Sequence, residues 1–211
     1  MDSSWAQDNL QTIRTLMERS AVYRRALAPI MLFTGALGLA AALTGCLLKL
    51  DTPRTFGMFW LGVSVAATGG AYLLARRQSL KDQEPFWSPP TRRVTQALMP
   101  LFLLGLVLGL VVALPSWRDP RQVWWLPPAW MALYGCALHA AGFFMPRGMK
   151  LLGWLFVLSA CVVLVLVNQR GYAAGLPPLH WANGLMGFFF GGLHLAYGIY
   201  LRFTERGKNA T

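Results

Sequence analysis

The chain has 211 residues, of which 55% are hydrophobic and 13% charged, and its formal net charge is +11. Soluble domains normally carry about 25% charged residues, and their helices usually show a charged face. Here six long apolar runs contain no Lys, Arg, Asp or Glu, which excludes an ordinary soluble domain. The basic residues are spread over the ends of loops and form no single stripe, so nucleic acid is not an expected partner.

Residues 1–25 lack the apolar core and small-residue cleavage site of a secretory signal. Leu10, Ile13 and Met17 recur at helical spacing, with charged residues on the opposite face. This pattern predicts a cytoplasmic amphipathic helix. Two placements stay open for that helix: it lies at the lipid headgroups, or it docks against the cytoplasmic loops.

The six charge-free runs match a hydrocarbon core of roughly 30 Å at about 1.5 Å of rise per residue. They predict a six-helix transmembrane domain over residues 26–201 and a cytoplasmic tail over residues 202–211. The expected spans are 26–48, 56–75, 97–114, 123–145, 151–167 and 184–201. The predicted fold class is therefore all-α, a polytopic membrane helical bundle preceded by the amphipathic helix.

Orientation follows from the distribution of Lys and Arg, which favour cytoplasmic loops. Fourteen of them fall on the side that contains the N-terminus, and five fall on the other side. The ratio predicts that both termini are cytoplasmic. Tryptophans are expected to form an interfacial belt at the outer side. The tryptophans expected there are Trp60, Trp117, Trp124, Trp125 and Trp181.

Small residues recur along three of the spans, where they would let helix backbones approach closely. The third span has a G-x-x-x-G motif at Gly105 and Gly109. The other stripes are Gly62, Ala66, Gly69 and Gly70 in the second span, and Gly184, Gly187, Gly191 and Gly198 in the last. We expect these stripes to face other helices, and they would also permit an oligomer.

Two histidines, His139 and His194, lie inside predicted spans, where an ionisable side chain usually faces the bundle interior. Three interpretations stay open. Each neutral imidazole fixes helix packing, or the two line a polar site for a small ligand or proton together with Tyr134 and Tyr197, or they ligate haem. Two histidines alone fall short of a typical metal site, so no metal is expected.

No catalytic constellation accompanies these residues. The spans contain no Asp or Glu for a carboxylate relay, and the chain has neither a phosphate-binding loop nor an H-E-x-x-H helix. Cys46, Cys136 and Cys161 are dispersed and resemble small core residues rather than a disulfide framework. No catalytic residue is therefore assigned, and no cofactor is indicated beyond the haem alternative.

The segment TIRTLMERS at residues 12–20 leads into a first span that contains Pro29. Near the other end, ANGLMG at residues 182–187 precedes GLHLAYG at residues 192–198. With these segments the chain resembles an uncharacterised group of small six-helix bacterial inner-membrane proteins. The resemblance implies a bacterial inner membrane and carries over no activity and no functional residues.

Three functions are consistent with these observations. The favoured one is a non-enzymatic sensor, regulatory partner or membrane-complex subunit, which contacts its protein partner through residues 1–25 and the loop at residues 76–96. The first alternative is a small-solute transporter or channel with a polar site at His139 and His194. The second alternative is a haem-binding redox membrane protein. In each case the lipid bilayer is the surrounding partner.

Overall fold

The structure, a computed structural model, describes residues 21–114, 123–173 and 177–208. These residues form helices and short connections. The helices are α1 (Ala21–Leu47), α2 (Pro53–Lys81), α3 (Pro89–Val112), α4 (Leu126–Ala141), α5 (Arg147–Ala173), α6 (His180–Met186) and α7 (His194–Lys208). A π-helical segment, Gly187–Leu193, joins α6 to α7 in one continuous rod. Most of the predicted amphipathic helix and the last three residues of the tail lie outside the described residues.

Five helical runs are long and apolar enough to cross a membrane, and they identify the fold as the helical bundle of a membrane protein. They are Ala26–Leu47, Pro53–Lys81, Pro89–Val112, Arg147–Gln169 and His180–Thr204. Helix α4 has 16 residues, a rise of about 24 Å. The predicted loop at residues 76–96 is largely helical, because α2 continues to Lys81 and α3 begins at Pro89.

Helix starts follow the local sequence. Thr52 caps α2 in a capping box: its side chain accepts from the amide of Thr55, and the Thr55 hydroxyl accepts from the amide of Thr52. Pro53 follows at the first helical position, where its missing N–H is not needed. Paired prolines also open α3 and α4, in their first turns.

Two helices end at a residue with positive φ that is not glycine. Lys49 has φ of 48° after α1, and Gln83 has φ of 53° after α2. In both turns an amide donates to a carbonyl five residues earlier in the chain, from Leu50 to Gly45 and from Glu84 to Ser79. Both ends therefore have the Schellman hydrogen bond but lack the glycine that usually accompanies it.

Helix α1 packs antiparallel to the last rod with glycines at the contact. A Cβ on Gly198 would lie 2.8 Å from the Leu32 amide nitrogen, and one on Gly45 would lie 2.6 Å from Oδ1 of Asn183. The same close approach occurs at Gly35, Gly38, Gly187 and Gly191. The start of α1 therefore lies beside the end of α7, along an interface that tolerates no larger side chain.

Helices α4 and α5 form a second glycine-mediated pair. A Cβ on Gly153 would lie 2.7 Å from the amide nitrogen of His139, and one on Gly135 would lie 2.8 Å from the carbonyl oxygen of Gly153. On the other side of α4, Trp130 donates from Nε1 to the carbonyl of Gly105 in α3, at 2.8 Å. The G-x-x-x-G motif of α3 thus accommodates a tryptophan.

Not every glycine of the predicted small-residue stripes contacts another helix. A Cβ on Gly62, Gly69 or Gly184 would meet nothing within 4 Å, so these positions lie on the outer surface. The three cysteines are also exposed there, and the prediction that they are core residues is wrong. Sequence periodicity cannot distinguish these positions from the core, because Gly, Ala and Cys are compatible with both lipid and protein contacts.

Candidate functional site

The candidate site is the pair formed by His194, which is buried, and Tyr134, which is partly buried. His194 begins α7 and is completely buried, with its Nε2 2.6 Å from the Tyr134 hydroxyl in α4. Its Nδ1 lies 3.4 Å from the carbonyl oxygen of Phe189, one turn earlier. Because a carbonyl only accepts, Nδ1 carries the proton and Nε2 accepts from the tyrosine. Both ring nitrogens of a neutral imidazole are therefore engaged.

Aromatic rings surround this pair. Phe156 of α5, itself completely buried, meets the Tyr134 ring at 5.1 Å and the His194 ring at 5.7 Å between centroids. Phe190 stacks on the imidazole at 6.3 Å, and Phe102 of α3 stacks on Tyr134 at 6.0 Å. The hydrogen bond thus joins α4 to the last rod, and the surrounding rings add apolar contacts with α3 and α5.

The π-helical segment aims His194 into that enclosure. Asn183 and His194 are eleven residues apart, which in an unbroken α-helix is about three turns and places both side chains on nearly the same face. A π turn takes in one residue more than an α turn, which rotates the following residues by about 100°. Consequently Asn183 faces α2, whereas His194 faces α4 and α5.

Asn183 forms a second buried polar pair that the sequence did not reveal. Its Oδ1 accepts from Nε1 of Trp60 at 2.8 Å, and the asparagine is completely buried. The indole bond fixes the amide orientation, and Nδ2 is left without a hydrogen-bond partner. Trp60 is 3% exposed and Trp124 is 7% exposed, so both lie in the core and neither is part of a lipid-facing tryptophan belt, contrary to the prediction. Trp60 and Asn183 are 123 positions apart in the sequence, which is why neither pointed to the other.

The other two predicted site residues lie elsewhere. His139 packs edge-on against Phe143 and Trp154, and its Nδ1 is buried without a partner. The Tyr197 hydroxyl is also buried without a partner, beside Gly148 at the start of α5. The structure therefore brings Tyr134 and His194 together, while His139 shares no ring contact with His194.

The chemistry available to these groups is limited. Within the described ranges, no three His, Cys, Asp or Glu side chains lie close enough to hold a metal ion. The Tyr134–His194 bond joins two neutral groups inside a ring of hydrocarbon, an arrangement that fixes helix orientation.

Comparisons of the chain with protein-family models, curated proteins and solved structures found no match.

Proposed function

We propose that the chain is a six-span, non-enzymatic protein of a bacterial inner membrane, with both termini in the cytoplasm. Its role is that of a regulatory partner or membrane-complex subunit. The observation that carries this proposal is the connection between α2 and α3, residues 82–88, which is hydrogen-bonded to both helices and presents an exposed tryptophan.

Buried hydroxyl groups hold the connection at both of its ends. Ser79, 3% exposed, donates to the carbonyl of Glu84, and Thr91, 4% exposed, donates to the carbonyl of Phe86 at 2.7 Å. The Phe86 ring packs edge-on against Tyr72 of α2, 5.2 Å between centroids. These contacts order the connection, and pre-organised binding surfaces move little when a partner binds.

Trp87 is the side chain that this connection displays, and it is 61% exposed. Exposed tryptophan is typical both of binding hot spots and of membrane interfaces. The predicted amphipathic helix belongs to the same predicted cytoplasmic side. Together the two form the surface on which we expect a protein partner to bind.

The contacts of α3 and α5 support six crossings. Arg93 near the start of α3 lies over the Phe144 ring, and Lys150 near the start of α5 lies over the Phe143 ring. Both helices therefore start at the same end of the bundle. Since α3 ends at the opposite end, we infer that the chain returns through α4 and that the number of spans is even.

Topology can be tested with reporter fusions at the C-terminus. A fluorescent protein fused after Thr211 is expected to be fluorescent, and a periplasm-dependent phosphatase at the same place is expected to be inactive. The reverse pattern would contradict the orientation. The matched control places each reporter after Asp51, where the opposite result is expected.

Partner binding can be tested by in-cell photocrosslinking from position 87. We expect a discrete heavier product that is lost on deletion of residues 1–20, and no such product from Leu158, an exposed residue of α5. If the products from position 87 are absent, or are unchanged by the deletion, the proposed binding surface is wrong.

A small-solute transporter is the second candidate, favoured by three buried polar atoms without partners: His139 Nδ1, Asn183 Nδ2 and Tyr197 Oη. A solute that pairs with such atoms would recover the hydrogen bonds they lack. Uptake into proteoliposomes that falls with His139→Ala would support this function. If neither His139→Ala nor His194→Ala changes the rate of uptake, the proposed solute site is wrong.

A further inference from the structure

The turn between α4 and α5 carries an unusual arrangement of cations on aromatic rings. Lys150 Nζ lies 3.5 Å from the centroid of the Phe143 ring, and Arg93 Cζ lies 5.9 Å from the centroid of the Phe144 ring. The two cations come from helices on either side of α4, and the two rings are consecutive in the chain. One short turn thus holds two positive charges from different helices.

Lys150 is held in place by its surroundings. A Cβ on Gly142 would lie 2.5 Å from Lys150 Cγ, so the missing side chain makes room for the lysine stem. The Phe143 ring below the ammonium group is supported on its edge by His139, which in turn packs on Trp154. The ammonium position is therefore defined by three side chains and one glycine.

No anion within the described part of the chain offsets these charges. Neither Lys150 nor Arg93 has a carboxylate within ion-pair distance there. The first turn of α5 contains Arg147 and Lys150 and no acidic residue, although the positive end of a helix dipole favours anions. Cations on aromatic faces keep their N–H groups available for an oxygen ligand.

We propose that this cation cluster, Arg93 and Lys150 on the rings of Phe143 and Phe144, binds the phosphate of an anionic phospholipid. A basic pocket between helix ends at the membrane surface is the typical setting for such a headgroup. Exposed apolar side chains beside it suit the acyl chains: Phe144 is 44% exposed, Leu151 71% and Trp154 51%. The proposal depends on the bundle lying in a membrane and is independent of which end is cytoplasmic.

The test compares lipids by thermal unfolding and native mass spectrometry of the full-length protein in detergent. Phosphatidylglycerol is expected to raise the Tm and to remain bound, while phosphatidylcholine and inorganic phosphate have little effect. The variant Arg93→Gln/Lys150→Gln should bind phosphatidylglycerol about 25-fold more weakly, about five-fold for each cation removed. Lys150→Arg should retain binding, since the charge remains.

The matched control is Arg77→Gln, an exposed cation of α2 outside the cluster. Three outcomes would overturn the proposal. The first is that phosphatidylglycerol stabilises the double variant as much as the unmodified protein. The second is that Arg77→Gln weakens phosphatidylglycerol binding as much as Lys150→Gln. The third is that inorganic phosphate alone raises the Tm as much as phosphatidylglycerol does. The second outcome would mean a diffuse surface charge, and the third an anion site that recognises no lipid.

Discussion

Asn183 and His194 lie on either side of the π-helical segment, and each bonds a side chain from another helix. At His194 both ring nitrogens are engaged and aromatic rings enclose the pair. At Asn183 the indole of Trp60 satisfies the amide oxygen, but the amide nitrogen has no partner. The same rod thus carries one polar pair that is complete and one that is not.

The difference shows what each region is able to do. A complete pair in an apolar enclosure specifies how helices pack and leaves no group for a ligand. An incomplete pair carries an energetic penalty for the unpaired donor and keeps one hydrogen-bonding position available. The π-helical segment produces the difference, because it turns His194 away from the face on which Asn183 lies.

The largest expected effect comes from deleting Gly192, which removes the extra residue of the π-helical segment. The rod should then continue as an α-helix, which turns His194 away from Tyr134 by about 100°. We expect the Tm in detergent to fall by about 10 °C, as a loss of several kcal/mol would produce. Asn183 precedes the deletion and should keep its bond to Trp60.

Epistasis separates the two regions in this experiment. In the protein that lacks Gly192, Tyr134→Phe should cause no further fall in Tm. Trp60→Phe should lower the Tm as much as it does when Gly192 is present. Equal costs of Tyr134→Phe with and without Gly192 would show that the π-helical segment does not position His194. Circular dichroism provides the control that the deleted protein retains its helices.

Gly38→Ala should disturb both regions at once. A Cβ there would lie 2.7 Å from the carbonyl oxygen of Phe190, within the π-helical segment that connects the two pairs. Overpacking against backbone should cost about 1–3 kcal/mol, measured by thermal unfolding followed through tryptophan fluorescence. Gly62→Ala is the matched control, because its Cβ meets nothing and should add up to about 1 kcal/mol of helix stability.

Tyr134→Phe tests the complete pair. It leaves Nε2 of His194 without a donor and should cost about 1–2 kcal/mol, near the upper end for interhelical hydrogen bonds in membranes. The double variant Tyr134→Phe/His194→Leu removes both polar partners and should recover part of that stability. Additive costs in the double-mutant cycle would contradict a direct bond between the two residues.

Asn183→Ala tests the incomplete pair, and we expect a smaller cost of about 0.5–1 kcal/mol. The change frees the Trp60 indole from its acceptor, but it also removes the unpaired amide nitrogen, which offsets part of the loss. The same unfolding measurement applies, with His194→Ala as the comparison. A cost larger than that of His194→Ala would mean that the amide nitrogen binds something in the purified protein.

The sequence predicted the helical bundle because charge-free runs and helix-start prolines are local signals. It also placed Tyr134 near His194 as a possible site. It could not predict that His194 faces α4 and α5, because GFFFGGL at residues 187–193 has no signature that distinguishes π from α geometry. Trp60 and Asn183 were missed for another reason: their pairing depends on tertiary packing, and tryptophan is equally common at interfaces.

The smallest effects concern the ends of α1 and α2. Lys49→Gly and Gln83→Gly each replace a side chain in the left-handed conformation, which is costly for residues other than glycine. Each should add about 0.5–1 kcal/mol of stability, and the two gains should be equal and additive. Lys49→Ala is the control, since alanine keeps the unfavourable Cβ and should give no gain.

The antiparallel contact between α1 and the last rod has a consequence for biogenesis. During synthesis the glycine face of α1 emerges first, yet its counterpart, the rod at residues 180–208, emerges more than a hundred residues later. Until then the insertion machinery or lipid must shield that face. A chain truncated after α5 would therefore leave the glycine face of α1 exposed to lipid.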